Sequence, residues 1–187
     1  MFRKSLMLLA LAGLIATMGL AASALFTSQA TVTDNSFTTG KLVLTASPTS
    51  AAITLSNMAP GDEVTAPITL TNSGSLDLRY AMTSASTNTD NKNLADQLVL
   101  SIKSDVTDCS NAGFAGSGSS LYAGSLSSAS FGDPNQGEQA GDRALSPAAN
   151  EVLCFNASLP ADTGDAYQDA ATTATFTFDA EQVKNNP

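Results

Sequence analysis

Histidine and tryptophan are absent from this chain of 187 residues, and charged residues make up only 13 % of it. Without histidine the chain lacks the usual general base near neutral pH, the commonest zinc ligand and the Ser-His-Asp and Cys-His catalytic pairings. Seventeen acidic residues against eight basic ones give a net charge of −9, which repels the phosphates of nucleic acids. The sequence therefore predicts neither a histidine-dependent enzyme nor a nucleic-acid-binding protein.

The first 24 residues have the three parts of a secretory signal peptide. Two basic residues near the start precede an uncharged apolar stretch over about 6–20, and Ala22-Ser23-Ala24 follows it. This pattern predicts a signal helix and cleavage after Ala24, so that Leu25 begins the mature chain. The alternative is a retained membrane anchor, because residues 6–25 are long enough to span a bilayer.

Cleavage would leave residues 25–187 as a single domain, in which 17 acidic and six basic residues give a net charge of −11. We expect an acidic secreted protein, extracellular or at the cell surface, that meets a membrane only through an uncleaved signal segment. In an oxidising compartment Cys109 and Cys154 are predicted to form a disulfide, whereas in a reducing one they would be core thiols. Closing this loop stabilises the fold by about 3–4 kcal/mol.

Short segments of alternating apolar and polar residues predict an all-β domain. Predicted strands lie at 37–44, around Ile53 and Leu55, through Ile68 and Leu70, through Leu76 to Met82, and at 98–102, 151–159 and 172–181. Asn72-Ser73-Gly74-Ser75 predicts a tight antiparallel hairpin between the strands on either side of it. A short helical turn is expected over 91–97. Seven or eight strands with mostly short links predict a jelly-roll-like or Ig-like antiparallel β-sandwich.

From about 106 to 150 this pattern is lost in a Gly/Ser-rich excursion, with a short strand near 121–126 and a tether at Cys109 and Cys154. Long loops are uncommon unless they are functional or tethered. One hypothesis is therefore a monomeric secreted binding module or adhesin that uses this excursion as its contact surface. Acidic turns such as the one with Asp105 and Asp108 lack the regular spacing of a Ca²⁺ loop, so no metal site is predicted.

Several motifs occur in a specific order: F-x-x-G-x-L-x-L, Pro-Gly-Asp, N-x-G-S-L and an aromatic closing strand. Their residues are Phe37, Gly40, Leu42, Leu44, Pro60, Gly61, Asp62, Asn72, Gly74, Ser75, Leu76, Tyr167, Gln168, Phe176, Phe178 and Gln182. In this order, behind a signal peptide, they resemble the TasA/CalY (camelysin) family of SipW-dependent exported proteins. The similar stretches cover most of 26–84 and 165–184.

The resemblance implies a jelly-roll β-sandwich that serves as a fibre subunit of a biofilm matrix. In fibres of this kind, the N-terminal segment of one mature subunit adds as a strand to the sheet of the next. Phe26, Ala30 and Val32 share one side of such a candidate donor strand, and its alternatives are an ordinary first strand or a disordered tail. The implied partners are further copies of the chain and other matrix proteins.

Part of this family carries a metallopeptidase label, which the residues do not support. The zinc-binding His-Glu-x-x-His motif is excluded because the chain has no histidine, and a carboxylate-only zinc site is rare. We therefore predict no catalytic residue, no metal, no cofactor and no enzyme activity, with a camelysin-type metallopeptidase as the least favoured alternative.

Overall fold

The computed structural model describes residues 28–31, 33–54 and 56–186, and the chain divides into two compact units, Met1–Thr38 and Thr39–Pro187. In the first unit the described residues are exposed and form neither helix nor strand. The predicted signal helix and the cleavage residues Ala22, Ala24 and Leu25 lie outside the described residues and stay predictions. In the part of the chain that the structure describes, every helix is too short or too polar to cross a bilayer.

The second unit is nearly all β-structure, as the alternating pattern predicts. Its strands are β1 (Leu44–Ser47), β2 (Glu63–Asn72), β3 (Leu78–Ser86), β4 (Val99–Ser104), β5 (Ser119–Ser125), β6 (Ser130–Phe131), β7 (Arg143–Leu145), β8 (Asn150–Ser158) and β9 (Ala174–Gln182). The helical turn expected before β4 is α1 (Leu94–Gln97). Three 3₁₀ turns lie at Phe114–Gly116, Leu126–Ser128 and Asp165–Tyr167.

The strands form two antiparallel sheets. The five-stranded sheet has the order β1-β2-β8-β4-β5, and the four-stranded sheet is organised around β3. Strand β9 pairs with the whole of β3, while the short strands β6 and β7 pair with separate parts of it. Since Leu78 pairs with both Leu145 of β7 and Gln182 of β9, these two strands lie on opposite sides of β3.

The core lies between the two sheets and follows the period-2 alternation of strand side chains. The five-stranded sheet contributes the buried residues Ile68, Leu70, Leu100, Ile102, Leu153 and Phe155. From β3 come Leu78, Tyr80 and Met82, and the Tyr80 ring packs edge-on against Phe131 with centroids 6.0 Å apart. The predicted antiparallel β-sandwich is confirmed.

The hairpin predicted around Asn72-Ser73-Gly74-Ser75 is wrong, because β2 and β3 belong to different sheets. The backbone of this turn pairs with residues 41–43 instead: Ser73 N–H donates to the Val43 carbonyl and Ser75 N–H to the Lys41 carbonyl. These bonds direct the chain out of one sheet and into the other, so the turn is a corner of the sandwich.

Two predicted strands at the start of the unit are also different in the structure. The predicted strand at 37–44 is wrong over most of its length, because β1 begins only at Leu44 and Phe37 is 95 % exposed. Around Ile53, residues 48–54 and 56–58 form no strand, and Leu55 lies outside the described residues. An alternating sequence forms a strand only where a neighbouring strand is available to pair with it.

The Gly/Ser-rich excursion over 106–150 contains more regular structure than the sequence pattern suggested. Strands β5, β6 and β7 and two of the 3₁₀ turns lie within it. β5 includes most of the short strand expected near 121–126. It pairs with β4, with a register shift between Ile102 and Lys103. The sequence did not predict most of these strands, because Gly and Ser residues give little hydrophobic periodicity.

Candidate assembly site

An apolar groove of about 640 Å³ opens between strand β9 and the wall formed by residues 48–54 and Met58. Its lining includes Ile53 and Met58 on one wall, Val64, Ile68 and Ala157 on the floor, and Ala174, Phe176 and Phe178 on the other wall. All the described lining residues are uncharged. The groove therefore offers apolar surface to a ligand or a chain segment.

Strand β9 forms one wall of the groove with an unpaired edge. It pairs with β3 from Ala174 to Gln182, and no described strand pairs with its other side. Phe176 and Phe178 line the groove, whereas Thr177 is exposed and lies outside its lining. An edge strand of this length presents a row of free N–H and C=O groups to another chain.

The two phenylalanines of β9 are held in position by core aromatics. The Phe176 ring packs against Phe155 with centroids 5.0 Å apart, in a tilted arrangement. The Phe178 ring meets Tyr80 edge-on at 6.3 Å. These contacts fix the apolar wall of the groove to the buried core.

Of the candidate donor residues, the structure describes only Ala30, which is exposed. Phe26 and Val32 lie outside the described residues. The structure therefore leaves the donor strand a prediction.

The family-like motifs around Gly40 and Gly74 meet at one corner of the sandwich. A Cβ placed on Gly40 would lie 2.3 Å from Leu76 Cδ2, and one on Gly74 would lie 2.3 Å from the Lys41 carbonyl oxygen. Gly74 therefore requires glycine because backbone atoms occupy the space, whereas a side chain at position 40 would have to displace the Leu76 side chain. The Ser75 hydroxyl accepts a hydrogen bond from Lys41 N–H at 2.9 Å, which closes the corner.

Asn72 is the buried polar centre of this corner. Its side-chain amide donates to the Leu76 carbonyl at 2.8 Å and to the Leu145 carbonyl at 2.9 Å, and its carbonyl oxygen accepts from Gly74 N–H at 2.9 Å. The side chain thus joins the turn to the end of β7. Its role is structural, because each of these bonds is internal to the fold.

The Pro60-Gly61-Asp62 motif is a turn that leads into β2. Gly61 has φ +97°, a left-handed conformation that favours glycine. Its N–H donates to the Leu159 carbonyl at 2.7 Å, and the Asp62 carboxylate accepts from Ala59 N–H at 2.8 Å. This motif also builds the fold and carries no chemistry of its own.

The remaining motif residues lie near the ends of β9, along the groove or at the start of β1. Tyr167 closes the 3₁₀ turn that precedes β9, and the Gln168 carbonyl accepts from the Lys92 ammonium. At the far end, Gln182 donates to the Lys184 carbonyl at 2.9 Å. Leu42 is exposed and Leu44, the first residue of β1, is half-buried.

A disulfide between Cys109 and Cys154 confirms the predicted pairing. Cys154 lies on β8 and is fully buried although it points away from the core. The covering segment is residues 105–118, whose Phe114 carbonyl accepts from the Lys103 ammonium at 2.8 Å while the Phe114 ring lies under the same ammonium at 4.6 Å. Asn111 anchors the segment further by donating to the Glu63 carbonyl at 2.9 Å.

Two arginines form the ion pairs of the described residues, Arg143 with Glu151, and Arg79 with Glu181 and with the exposed Glu138. The Glu151 carboxylate accepts from Arg143 Nε at 2.8 and 3.0 Å and from the Tyr80 hydroxyl at 2.6 Å. Burial, followed by the bond to Glu151, raises the pKa of the Tyr80 hydroxyl far above its usual range, and the same carboxylate raises the pKa of Arg143. This network links the two sheets, and sequence analysis missed it because its members are distant in the chain.

The second ion pair clamps the end of β9. Arg79, which is 5 % exposed, donates from Nε to Glu181 at 2.6 Å and also contacts the Asn186 carbonyl. Gly137 N–H and the Asn186 amide donate to the same carboxylate. Burial acts to raise the pKa of Glu181, but these hydrogen bonds outweigh it and lower the pKa below its usual value.

The described residues do not fit the zinc site that a metallopeptidase requires. No group of three or more Asp, Glu or Cys side chains in the described part of the chain is close enough to hold a metal ion. The sequence supplies no histidine for a ligand. No catalytic step through a metal is therefore derived.

The groove was not recognised in the sequence. The alternation of Ile53-Thr54-Leu55-Ser56 predicts a strand where the structure has one wall of the groove. No local sequence pattern marks the groove, because its lining residues come from segments that are distant in the chain.

The chain was compared with known families, curated proteins and solved structures. The family described as camelysin metallo-endopeptidase matches residues 2–110, more than half of the chain. No curated protein matches it significantly. A solved structure, the ASH/PapD-like domain 7 of human CEP192, is 13 % identical over 86 % of this chain and 96 % of that chain, and its TM-score of 0.30 carries no argument. On the family match, the chain belongs to the camelysin family, which is the TasA/CalY family.

Proposed function

We propose that the mature chain is a secreted structural subunit that assembles into extracellular fibres of a biofilm matrix or cell surface. In this assembly, residues 25–33 of one copy add as a strand to the edge of β9 in the next copy. Membership in the camelysin family supports the class of function. The observation that carries the proposal is the apolar groove bordered by the unpaired edge of β9.

The lengths of the two segments are compatible with pairing. Strand β9 has nine residues, which span about 30 Å at the usual rise of a strand. The donor segment 25–33 also has nine residues and contains no proline, so every residue can offer a backbone N–H. Strand addition of this kind takes its affinity from main-chain hydrogen bonds.

The side chains of the two partners are complementary in polarity. Phe26, Ala30 and Val32 form one apolar side of the donor segment, which has no charged side chain. The groove that receives them is lined by uncharged residues such as Ile53 and Phe176. Burial of Phe26 and Val32 contributes roughly 1.5–3 kcal/mol for each side chain.

The proposal places this chain among members of its family that are not enzymes. Its support is the mismatch between the residues and a zinc site, together with a groove that lacks charged residues. Zinc-dependent cleavage of casein by the purified protein, inhibited by a chelator, would contradict it.

The donor role is tested by two matched double variants of the mature protein. Phe26→Ser with Val32→Ser removes apolar side chains from one side of the segment, whereas Thr27→Ser with Thr31→Ser changes the opposite side. We expect the first variant to raise the minimum concentration for polymers at least about tenfold, since tenfold corresponds to about 1.4 kcal/mol, and the second to behave as wild type. Size-exclusion chromatography and electron microscopy provide the measurement.

Deletion of 25–33 gives the limiting case and should abolish fibres. Fibres as long as those of the wild type after this deletion would exclude the donor role. A wild-type protein that stays a monodisperse monomer at every concentration would favour the binding-module hypothesis instead.

A further inference from the structure

The groove wall opposite β9 is bounded by two residues in the left-handed backbone region. Ala51 has φ +48° and Asn57 has φ +56°. Asparagine adopts this conformation readily, but an alanine in it is disfavoured, because Cβ approaches its own backbone too closely. Ala51 is exposed, so no buried contact of its side chain offsets this strain.

The residues between these two positions have the sequence of a strand without its pairing. Ile53 is half-buried and packs against the core, while Thr54 is exposed, which is the in-out alternation of a strand. The structure records no hydrogen bond between residues 48–54 or 56–58 and the rest of the described chain. The backbone groups of this wall are therefore available to a new partner.

We infer that this wall is a latent strand, which leaves the left-handed conformation at Ala51 and pairs with the donor segment of a second copy when that segment fills the groove. The inference rests on the proposed function and adds a second pairing edge to it. The incoming strand then has β9 on one side and the residues after Ala51 on the other.

The strain at Ala51 favours the change of this wall from its free conformation into a strand. In the free subunit the left-handed alanine is kept in place by its neighbours Ala52 and Ile53, which are partly buried against the core, and in the extended conformation of a strand that strain is absent. Assembly therefore gains from the release of strain as well as from new hydrogen bonds. A residue that tolerates the left-handed conformation better should hold the subunit in its unassembled form.

Two substitutions at Ala51 are expected to shift assembly in opposite directions. Ala51→Gly removes the strain in the free subunit, and we expect it to raise the minimum polymerisation concentration about fivefold. Ala51→Thr disfavours the left-handed conformation further and favours strands, so it should lower that concentration about fivefold. The control is Ala148→Gly, because Ala148 is also exposed, has φ +63° and lies outside the groove.

Ala148→Gly should polymerise as wild type does. Hydrogen exchange of the amides after Ala51 should slow at least about tenfold in polymers compared with free subunits. If wild type polymerises through residues 25–33 but Ala51→Gly has no effect and these amides stay unprotected, only this inference is overturned. A wild-type protein that does not polymerise through that segment overturns both proposals.

Discussion

The chain itself covers the part of the five-stranded sheet's outer face around Lys103 and Cys154, whereas the groove beside β9 is left open. Over the sheet, residues 105–118 are held by the disulfide to Cys154 and by the contacts of Lys103 with Phe114. Beside β9, the wall of residues 48–54 and Met58 is anchored by partial burial of side chains such as Ile53 and Met58. The chain thus closes one surface covalently and leaves the other available to a partner.

The covered face and the open groove have different roles: the covered face stabilises each subunit, whereas the groove is available to join subunits. A covered surface contributes its burial and its cross-link to the free energy of unfolding of each molecule. An open apolar groove next to an unpaired strand edge contributes little to that stability. Its burial and the pairing of the edge would instead stabilise the association of subunits. Changes in the two regions should therefore affect different measurements.

The largest expected effect comes from removing the disulfide. In the double variant Cys109→Ser, Cys154→Ala the free energy of unfolding should fall by about 3–4 kcal/mol, because the unfolded chain is no longer constrained across 45 residues. Chemical denaturation measures this loss. The minimum concentration for polymers, measured under conditions where the variant is folded, should stay that of the wild type; a large rise would show that the covered face also takes part in assembly.

A substitution in the groove should affect polymerisation strongly and the free energy of unfolding less than loss of the disulfide does. Phe176→Ala removes a half-buried ring that contacts Phe155, so the free energy of unfolding should fall by only about 2 kcal/mol. The minimum polymerisation concentration should rise at least about tenfold because the donor loses part of its apolar partner. Thr177→Ala, on the exposed face of the same strand, is the control, and equal effects of the two variants would contradict this assignment.

The smallest expected effect is the response of the clamp at the end of β9 to acid. Because the pKa of Glu181 is lowered in the folded state, its contribution to stability is present above the unfolded value near 4.5 and is lost as pH falls through the folded pKa. Thermal melting between roughly pH 6 and pH 3 should therefore show a shallower loss in Glu181→Gln than in wild type. Asp162→Asn, at an exposed carboxylate in the turn after β8, should follow the wild type.

Most of the sandwich could be predicted from the sequence because its strands bury one face. The alternation through Leu78, Tyr80 and Met82 predicted β3, and Phe176 and Phe178 predicted β9. The cysteine pair predicted the disulfide because a chain with two cysteines has one way to pair them. The strands could be predicted from local periodicity, and the disulfide from the number of cysteines.

The errors arise where tertiary pairing decides the structure. Asn72-Ser73-Gly74-Ser75 has the composition of a hairpin turn, but its backbone bonds go to residues 41–43, so the turn changes sheets. Ile53 has the pattern of a strand residue, but its segment lies where the described chain supplies no neighbour. The groove itself is a gap between elements, and no local pattern encodes a gap.

The central claim is that the N-terminal segment of one copy occupies the groove of another, and complementary variants test it most directly. Deletion of 25–33 removes the donor but keeps the groove, while Ile53→Asp places a charge in the groove but keeps the donor; Ser56→Asp, at an exposed residue outside the groove lining, is the control for the charge. Light scattering should show that each defective variant alone is monomeric, that their mixture forms a discrete one-to-one dimer, and that Ser56→Asp polymerises. A mixture that stays monomeric, or long polymers from either defective variant alone, would contradict the account.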